Sequence, residues 1–405
     1  MSFFIPTVYG DIPKKRSGHA AVFFNGQLIV FGGYGDSDEE DIGQQLCKNI
    51  WSYNIEISQW TKHVTKGKHP GKSTGSSAIL LGHNVYLFGG FYKQSGQTNK
   101  LYCLDLTSLT WSELTEQVQG DGPSAKDKMC SWKIDNKIIY FGGFGAPPNN
   151  ISQMKGEFYF EEFPQGFCRG FGWNNHLHIL ECGDVLEWKE PSCIGNRPSP
   201  RAAASSSQLG YRGYLFGGRF KEERRNDLFT LDLRTYEWTE INIFSQKPHG
   251  RSWHAMAPIS DNHLFVYGGF DNNGNALKDV WIFDCENKTW NEKENASSSF
   301  GVALAPRMWH TACNTDQPGE IIVFGGCSNS ILSYETCLHT NSVAFFRFSP
   351  LSLQKMCTDY VIQHYNIYRK SLELLPKMLR WAIDYRYRMI RNNPRGKLVK
   401  NCTSM

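Results

Sequence analysis

Short apolar runs ending in a double glycine occur six times in this chain, and no other feature constrains its fold as strongly. The copies are Phe31-Gly32-Gly33-Tyr34, Phe88-Gly89-Gly90-Phe91, Phe141-Gly142-Gly143-Phe144, Phe216-Gly217-Gly218-Arg219, Tyr267-Gly268-Gly269-Phe270 and Phe324-Gly325-Gly326-Cys327. Their second glycines are 57, 53, 75, 51 and 57 residues apart. Self-similarity at that period means a repeat architecture, in which each unit buries its apolar face only against its neighbours. Four copies end in an aromatic residue and only the copy at Arg219 ends in a charge. That exception points from scaffold to function.

Each unit has further signals. A turn of the form Arg-x-x-His opens three of them, at Arg16-Ser17-Gly18-His19, Arg251-Ser252-Trp253-His254 and Arg307-Met308-Trp309-His310. An alternating strand follows the glycines, as in Asn226 to Asp232 or Lys278 to Asp284, and a tryptophan ends five units, at Trp60, Trp111, Trp188, Trp238 and Trp290. Four short strands in about fifty residues, with a double glycine and a late tryptophan, resemble the kelch blade of a β-propeller. The resemblance runs from about residue 10 to 348 and implies an all-β fold, a six-bladed kelch β-propeller over residues 1–348. The double glycine permits torsions and close packing near the channel that a side chain would block.

Two places depart from the repeat. The sixth unit has no tryptophan after Phe345-Phe346-Arg347-Phe348, so its outer strand is missing, and residues 2–10 are expected to complete it and cover the edge. The 75-residue interval marks an insertion in blade three, between Phe144 and the strand Asn175 to Leu180. It carries Phe158, Tyr159, Phe160, Phe163, Phe167, Phe171 and Trp173, and a long aromatic loop of this kind is expected to fold over the binding face.

After Ser349-Pro350 the pattern changes. Leu353, Met356, Cys357, Tyr360, Val361 and His364 recur at helical spacing, which predicts a helical segment over 349–392, broken at Pro376. Residues 393–405 read as a disordered basic tail. From residue 366 onward ten Lys/Arg stand against Glu373 and Asp384, which leaves the rest of the chain with 33 basic and 37 acidic residues. The basic balance therefore belongs to the tail, and nothing suggests a nucleic-acid-binding body. Twelve cysteines without a Cys-x-x-Cys pair suit a reducing compartment. With no signal peptide and no long apolar span, the expectation is a cytoplasmic or nuclear protein that does not enter membranes.

Enzymatic readings are weak. His19, His254 and His310 hold equivalent repeat positions, which makes them scaffold rather than general bases. His176-x-His178 lacks a third metal ligand nearby, and there is neither a phosphate loop nor a nucleophile elbow, so no cofactor and no metal are expected. The better signal is at the rim, where residues following the double glycines converge with the Arg-x-x-His turns. Arg219, Arg224, Ser252 and Trp253, with Tyr34, Phe144, Trp173 and Trp309 from other blades, suit a carboxylate held between aromatic walls. The residues alone leave a second reading open, with Arg219 in an inter-blade salt bridge and Arg224 in the solvated run Lys221 to Arg225.

Leu353, Cys357 and Val361 share one helical face at i, i+4, i+8, followed by Leu375-Pro376-Lys377-Met378-Leu379. This resembles an elongin-binding box with a downstream cullin-2 box. A kelch propeller joined to such a box is similar to the kelch domain-containing protein 1 and 2 subfamily, substrate receptors of cullin-2 ubiquitin ligases. Gly218-Arg219, Arg224-x-Asn226-Asp227-Leu228, Gly250 to His254, Arg307-x-Trp309-His310-Thr311-Ala312-Cys313 and Lys126-Asp127-Lys128 carry the similarity.

That resemblance implies a non-catalytic receptor for proteins ending in glycine, Gly-Gly in particular, with elongin B/C and cullin-2 with its RING subunit as partners. It implies that Arg219, Arg224 and Ser252 hold the terminal carboxylate. Tyr34, Phe144, Trp173 and Trp253 would wall the slot, and Lys128 and Trp309 would touch the upstream peptide. Leu353, Cys357 and Val361 would face elongin C, and Leu375 and Pro376 would face cullin-2. Phe144 lacks a hydroxyl expected at its position in the close relatives, and the insertion around Cys168-Arg169-Gly170-Phe171-Gly172 departs from the family, leaving Arg169 unplaced. The alternative is a kelch scaffold that binds an internal peptide motif and joins no ligase.

Overall fold

Alternation of apolar and polar residues on each side of the double glycines builds six antiparallel sheets in a ring. The computed structural model describes residues 1–35, 48–149, 155–162, 170–293, 303–329 and 337–392. In blade one the chain runs outward through Ser17–Phe24, Gln27–Tyr34, Asn49–Asn54 and Gln59–Val64. Innermost strands of the other blades are Ser77–Leu81, Cys130–Ile134, Ser205–Leu209, Ala255–Ser260 and Thr311–Asn314. Each packs against the next, and the sixth packs against the first, which closes the ring.

The closing device is the N-terminus. Ser2–Phe4 pairs antiparallel with Val343–Arg347 as the outer strand of blade six. Its extent is shorter than the expected 2–10. Tyr9–Gly10 instead runs parallel to Gln59–Trp60 on the outer edge of blade one. Pro6, between the two pieces, has no N–H to continue the ladder, so the chain leaves one blade and crosses to the next there. Lys66–Gly67 and Ile194–Gly195 cover the outer edges of blades two and four in the same parallel manner.

Aromatic pairs hold neighbouring blades together. In blades one to five the closing tryptophan packs on the aromatic before the double glycine of the preceding blade. These pairs are Trp60 with Phe324 (4.9 Å), Trp111 with Phe31 (5.6 Å), Trp188 with Phe88 (5.2 Å), Trp238 with Phe141 (4.8 Å) and Trp290 with Phe216 (4.9 Å). Each pair is worth about 0.5–1.5 kcal/mol beyond its area burial. The repeat histidines make the same step, His19 onto Phe324 (5.1 Å), His254 onto Phe216 (5.3 Å) and His310 onto Tyr267 (5.0 Å).

The arginines of the turns belong to this scaffold. Arg16, Arg201 and Arg251 each donate from Nη1 to the carbonyl of the first glycine in their own blade, at 2.8, 2.9 and 3.0 Å. Arg201 and Arg251 also clamp Asp227 and Asp279, and Arg307 donates to Ser342 Oγ at 2.6 Å. Arg201 is the member that the Arg-x-x-His pattern misses, because Ala204 follows it where a histidine is expected.

Helices α1 (Leu353–Gln363), α2 (Tyr365–Tyr368) and α3 (Lys377–Asn392) follow the propeller, with a 3-10 turn at Ser371–Leu374. The side chain of Ser352 caps α1 by accepting from Lys355 N–H at 3.2 Å, and Pro376 stands just before α3. Ile362, Leu372 and Ile383 form a small core of their own. Lys355 and Arg386 both reach Glu56 in blade one, which ties the segment to the propeller. Among the described residues no helix is long and apolar enough to cross a membrane. The tail at 393–405 lies outside the described residues.

Candidate functional site

One residue per blade forms a closed belt at the end of the channel where the double glycines lie. These are Gly18, Gly75, Lys128, Ala203, Trp253 and Trp309, all left-handed, with φ from 55° to 65°. Each donates its N–H to the carbonyl of the belt residue in the preceding blade, Gly18 to Trp309 and so on round to Trp309 to Trp253, at 2.7 to 2.9 Å. Six positive-φ residues linked in a circle make a rigid rim, and four of them are not glycine. Backbone strain of that kind persists where the surrounding structure determines it and often marks a functional site.

Three belt side chains meet at the rim. The indoles of Trp253 and Trp309 lie 5.7 Å apart, and the Lys128 ammonium reaches within 5.8 Å of the Trp309 ring from the opposite side. Room for Trp309 comes from Gly18, where a Cβ would stand 2.7 Å from the indole. Lys128 is also paired with the buried carboxylate of Asp127. Burial pushes that carboxyl up, against the pull of the Lys128 ammonium.

Outside the belt each blade presents one cross-strand pair, made of the residue before the belt position and the residue after the double glycine. The pairs are Ser17–Tyr34, Thr74–Phe91, Asp127–Phe144, Ala202–Arg219, Ser252–Phe270 and Met308–Cys327. Arg219 is therefore the only rim cation among these twelve positions.

Directly opposite Arg219 in a two-residue hairpin stands Arg224. Arg224 is buried with its guanidinium 4.6 Å from the Phe270 ring, and its Nε has no hydrogen-bond partner. Burial first, and then the charge of Arg219, lower its pKa from the usual arginine range. Asn272 staples this hairpin to blade five by accepting from Arg224 N–H at 2.8 Å and donating to Arg224 O at 3.0 Å. Arg219 donates Nε to Lys221 O at 2.6 Å, meets the exposed Glu222 at 3.4 Å and lies 5.9 Å from the Trp173 ring. Ser252 Oγ and Trp253 Nε1 are buried without a partner. Two cations across one hairpin, with a buried unpaired hydroxyl and an unpaired indole N–H in the neighbouring blade, are donor types that an anion can use.

The insertion brings Trp173 to this rim. Gly172–Asn174 pairs with Phe144–Gly145 on one side and Phe158–Phe160 on the other. This seats Trp173 5.2 Å from Phe144 and 5.9 Å from Phe220. Phe163, Phe167, Cys168 and Arg169 lie outside the described residues. Tyr34 turns toward blade six, where its hydroxyl donates to Cys337 Sγ at 3.3 Å and its ring meets His339 at 4.8 Å.

Apart from Tyr34, the site residues thus fall into two connected groups. Arg219, Trp173 and Phe144 form one, and Arg224, Ser252, Trp253, Trp309 and Lys128 the other, joined through the Arg219–Arg224 hairpin. Sequence reasoning missed Phe270, Asn272 and Ala203. Phe270 follows a double glycine like Tyr34 and Phe144, so its repeat position was the available signal. Asn272 and Ala203 carry none. His176 and His178 are buried beside Lys126, whose charge depresses both imidazoles further after burial has done so.

In the helical segment Leu353, Cys357 and Pro376 are exposed. Val361 and Leu375, expected on the same outward surfaces, pack partly on the segment's own core. The outward stripe is continued by Met356 and Tyr360 on α1, and by Met378, Trp381 and Tyr385 on α3.

A family model described as the KLHDC2/KLHL20/DRC7 Kelch-repeats domain matches residues 1–159 and 166–326. Kelch domain-containing protein 2 of Homo sapiens and of Bos taurus are each 37% identical over 382 residues, covering 93% of this chain and 91% of the relative. Kelch domain-containing protein 1 of Homo sapiens is 32% identical over 374 residues, covering 91% of this chain and 89% of that protein. The solved structure of YjhT superposes with a TM-score of 0.58 at 15% identity, over 82% of this chain and 95% of that one, a likeness of fold alone.

Proposed function

This chain belongs to the KLHDC2/KLHL20/DRC7 kelch-repeat family, and from that premise we propose that it is the substrate-recognition subunit of a cullin-2 elongin B/C ubiquitin ligase. It binds proteins ending in glycine through their free carboxylate and performs no chemistry itself. The carrying observation is that Arg219 and Arg224 face each other across a hairpin at the channel mouth, while Arg224 makes no ion pair among the described residues.

Two of the scaffold arginines have their charges answered by an acid, Arg251 by Asp279 and Arg201 by Asp227. Arg224 has desolvation and repulsion from Arg219, which the charges of Asp271 and Glu222 only partly offset, neither acid forming an ion pair with it among the described residues. A peptide carboxylate supplies that ion pair, accepting from both guanidiniums and from Ser252 Oγ–H. Hydrogen bonds to charged groups are worth roughly 1.5–3 kcal/mol each. Trp173 and Trp253 flank the slot and favour a terminal residue without a side chain, while Lys128 and Trp309 take the upstream backbone.

Fluorescence anisotropy with a labelled peptide ending in Gly-Gly tests this reading. Saturable binding that disappears on amidating the terminus supports it, and equal affinity for the amide refutes it. Leu353 and Cys357 would meet elongin C with Val361, and Leu375 and Pro376 would meet cullin-2, in the cytoplasm or the nucleus. Loss of elongin B/C from pull-downs of a Leu353/Cys357 double variant tests that half.

A second reading, a kelch scaffold for an internal peptide motif outside any ligase, draws on the inward packing of Val361 and Leu375. It predicts that an internal peptide competes as well as a free terminus and that elongin B/C does not copurify.

A further inference from the structure

Blade six breaks the rim pattern a second time. Where other blades present Tyr34, Phe91, Phe144, Arg219 or Phe270 after the double glycine, it presents Cys327, which is fully buried. Cys327 bridges Met308 on one side and His339 on the other. Ser328 N–H donates to Leu338 O at 3.1 Å and Leu338 N–H to Asn329 Oδ1 at 2.7 Å, so the segment 337–339 is fixed alongside 327–329.

Cys337, two residues before His339, shares the side of that segment that faces Cys327. Cys337 packs on the apolar cluster of Trp253, Phe270, Met308 and Cys327, and the Cys327 thiol donates to Asn329 O and Oδ1 at 3.2 Å. Both are free, and Cys337 is partly exposed while Cys327 is not.

We propose that Cys327 and Cys337 are an oxidation site, a thiol pair that peroxide converts to a reversible disulfide at the channel mouth. The exposed Cys337 reacts first. Its sulfur attacks the peroxide O–O bond, giving a sulfenic acid and one water. The Cys327 sulfur then attacks the sulfenic sulfur, forming the S–S bond and releasing a second water. Two thiols and one hydrogen peroxide thus become one disulfide and two waters, and a small thiol reductant reverses the change.

Closure acts on Tyr34, a wall of the slot in the carboxylate-receptor reading. A disulfide needs its Cβ atoms about 3.5–4.5 Å apart, which draws the Cys337 sulfur toward Cys327. The Tyr34 hydroxyl, which now donates to that sulfur at 3.3 Å, loses that bond. The consequence for ligand binding rests on the carboxylate-receptor reading, but the disulfide does not.

The test treats the full chain with hydrogen peroxide, alkylates the remaining thiols and maps peptides without reduction, using exposed Cys357 as the internal comparison. A linked Cys327–Cys337 peptide that dithiothreitol cleaves, absent from Cys337→Ser, is the expected result. Both cysteines alkylated at a dose that oxidises Cys357 overturns the proposal. In the same samples, affinity for a Gly-Gly peptide should fall roughly two- to tenfold, the equivalent of one hydrogen bond, in wild type but not in Cys337→Ser. A linked peptide with unchanged affinity overturns the coupling to Tyr34. Absence of peptide binding by the reduced protein refutes the receptor reading and leaves the disulfide standing.

Discussion

Phe3 lies opposite Phe346 in the register that Trp60 holds opposite Tyr53. The equivalence is set one strand further in, where Ile321 pairs with Phe346 as Leu28 pairs with Tyr53. Blade six therefore has its closing aromatic after all, supplied from the other end of the chain. Phe3 is fully buried, and Phe-to-Ala changes at such sites cost about 3–5 kcal/mol. Phe3→Ala should lower the urea midpoint accordingly, and an unchanged midpoint would remove the N-terminal strand from the closure of the ring.

The belt makes an opposite pair of predictions about glycine. Gly18 has φ +62° with the Trp309 indole where its Cβ would be, so Gly18→Ala should destabilise the protein and displace Trp309. Ala203 has φ 56° and already carries the left-handed strain. Ala203→Gly should be neutral or stabilising by up to ~1 kcal/mol, because the strain disappears while the unfolded chain gains freedom that partly offsets it. Thermal melts of the two variants decide the point, and a large loss in Ala203→Gly would mean that its methyl group packs against something essential.

Much of this molecule is legible in its sequence because the repeat is strict where packing is strict. The double glycines and closing tryptophans meet across every blade boundary but the last, so their spacing alone predicts six blades. The belt is less visible because its signal is a backbone torsion, and side chains as different as Gly75, Lys128 and Trp253 occupy one position. Arg219 stood out because it broke the rule, whereas Arg224 needed the hairpin register to become its partner. The expectation that all of residues 2–10 complete blade six misses the break that Pro6 imposes, because the apolar run of Phe3 and Phe4 hides it. Val361 and Leu375 lie on the periodic faces of their helices, but a small core of the segment itself covers part of them.

Stability should fall steadily in mild acid. His19 is held down to about 3 by burial and then by the Arg16 charge. Burial and the Arg251 and Arg307 charges hold His254 and His310 well below the ordinary range. All three are neutral in the fold, whereas the unfolded chain takes up their protons near pH 6.5. Their contribution is therefore complete above about pH 6.5 and drains as pH drops toward 3, at up to about 1.4 kcal/mol per pH unit for each histidine. Urea melts between pH 7.5 and 4.5 should show this slope, and His310→Gln should flatten it. A midpoint independent of pH would contradict the burial of these rings.

Arg251 and Arg224 separate scaffold from site by a single pair of variants. Arg251 is fully buried, donates to Gly268 O at 3.0 Å and forks onto Asp279 at 2.7 and 2.8 Å. Its removal strands a partly buried carboxylate, so Arg251→Ala should cost roughly 3–5 kcal/mol of stability. Arg224 is almost as buried, yet its neighbour across the hairpin is another cation and its Nε is unpaired. Removing it relieves desolvation and the Arg219 repulsion while giving up the Phe270 contact and the attraction of Asp271 and Glu222, so Arg224→Ala should leave the melting temperature unchanged or raise it slightly. The same variant should bind a glycine-ended peptide at least about tenfold more weakly, matching the loss of a charge-assisted hydrogen bond of roughly 1.5–3 kcal/mol. Stability and binding then move in different directions at Arg224 and together at Arg251. If Arg224→Ala unfolds as readily as Arg251→Ala, the second arginine of the hairpin belongs to the scaffold and the anion site loses half of its charge.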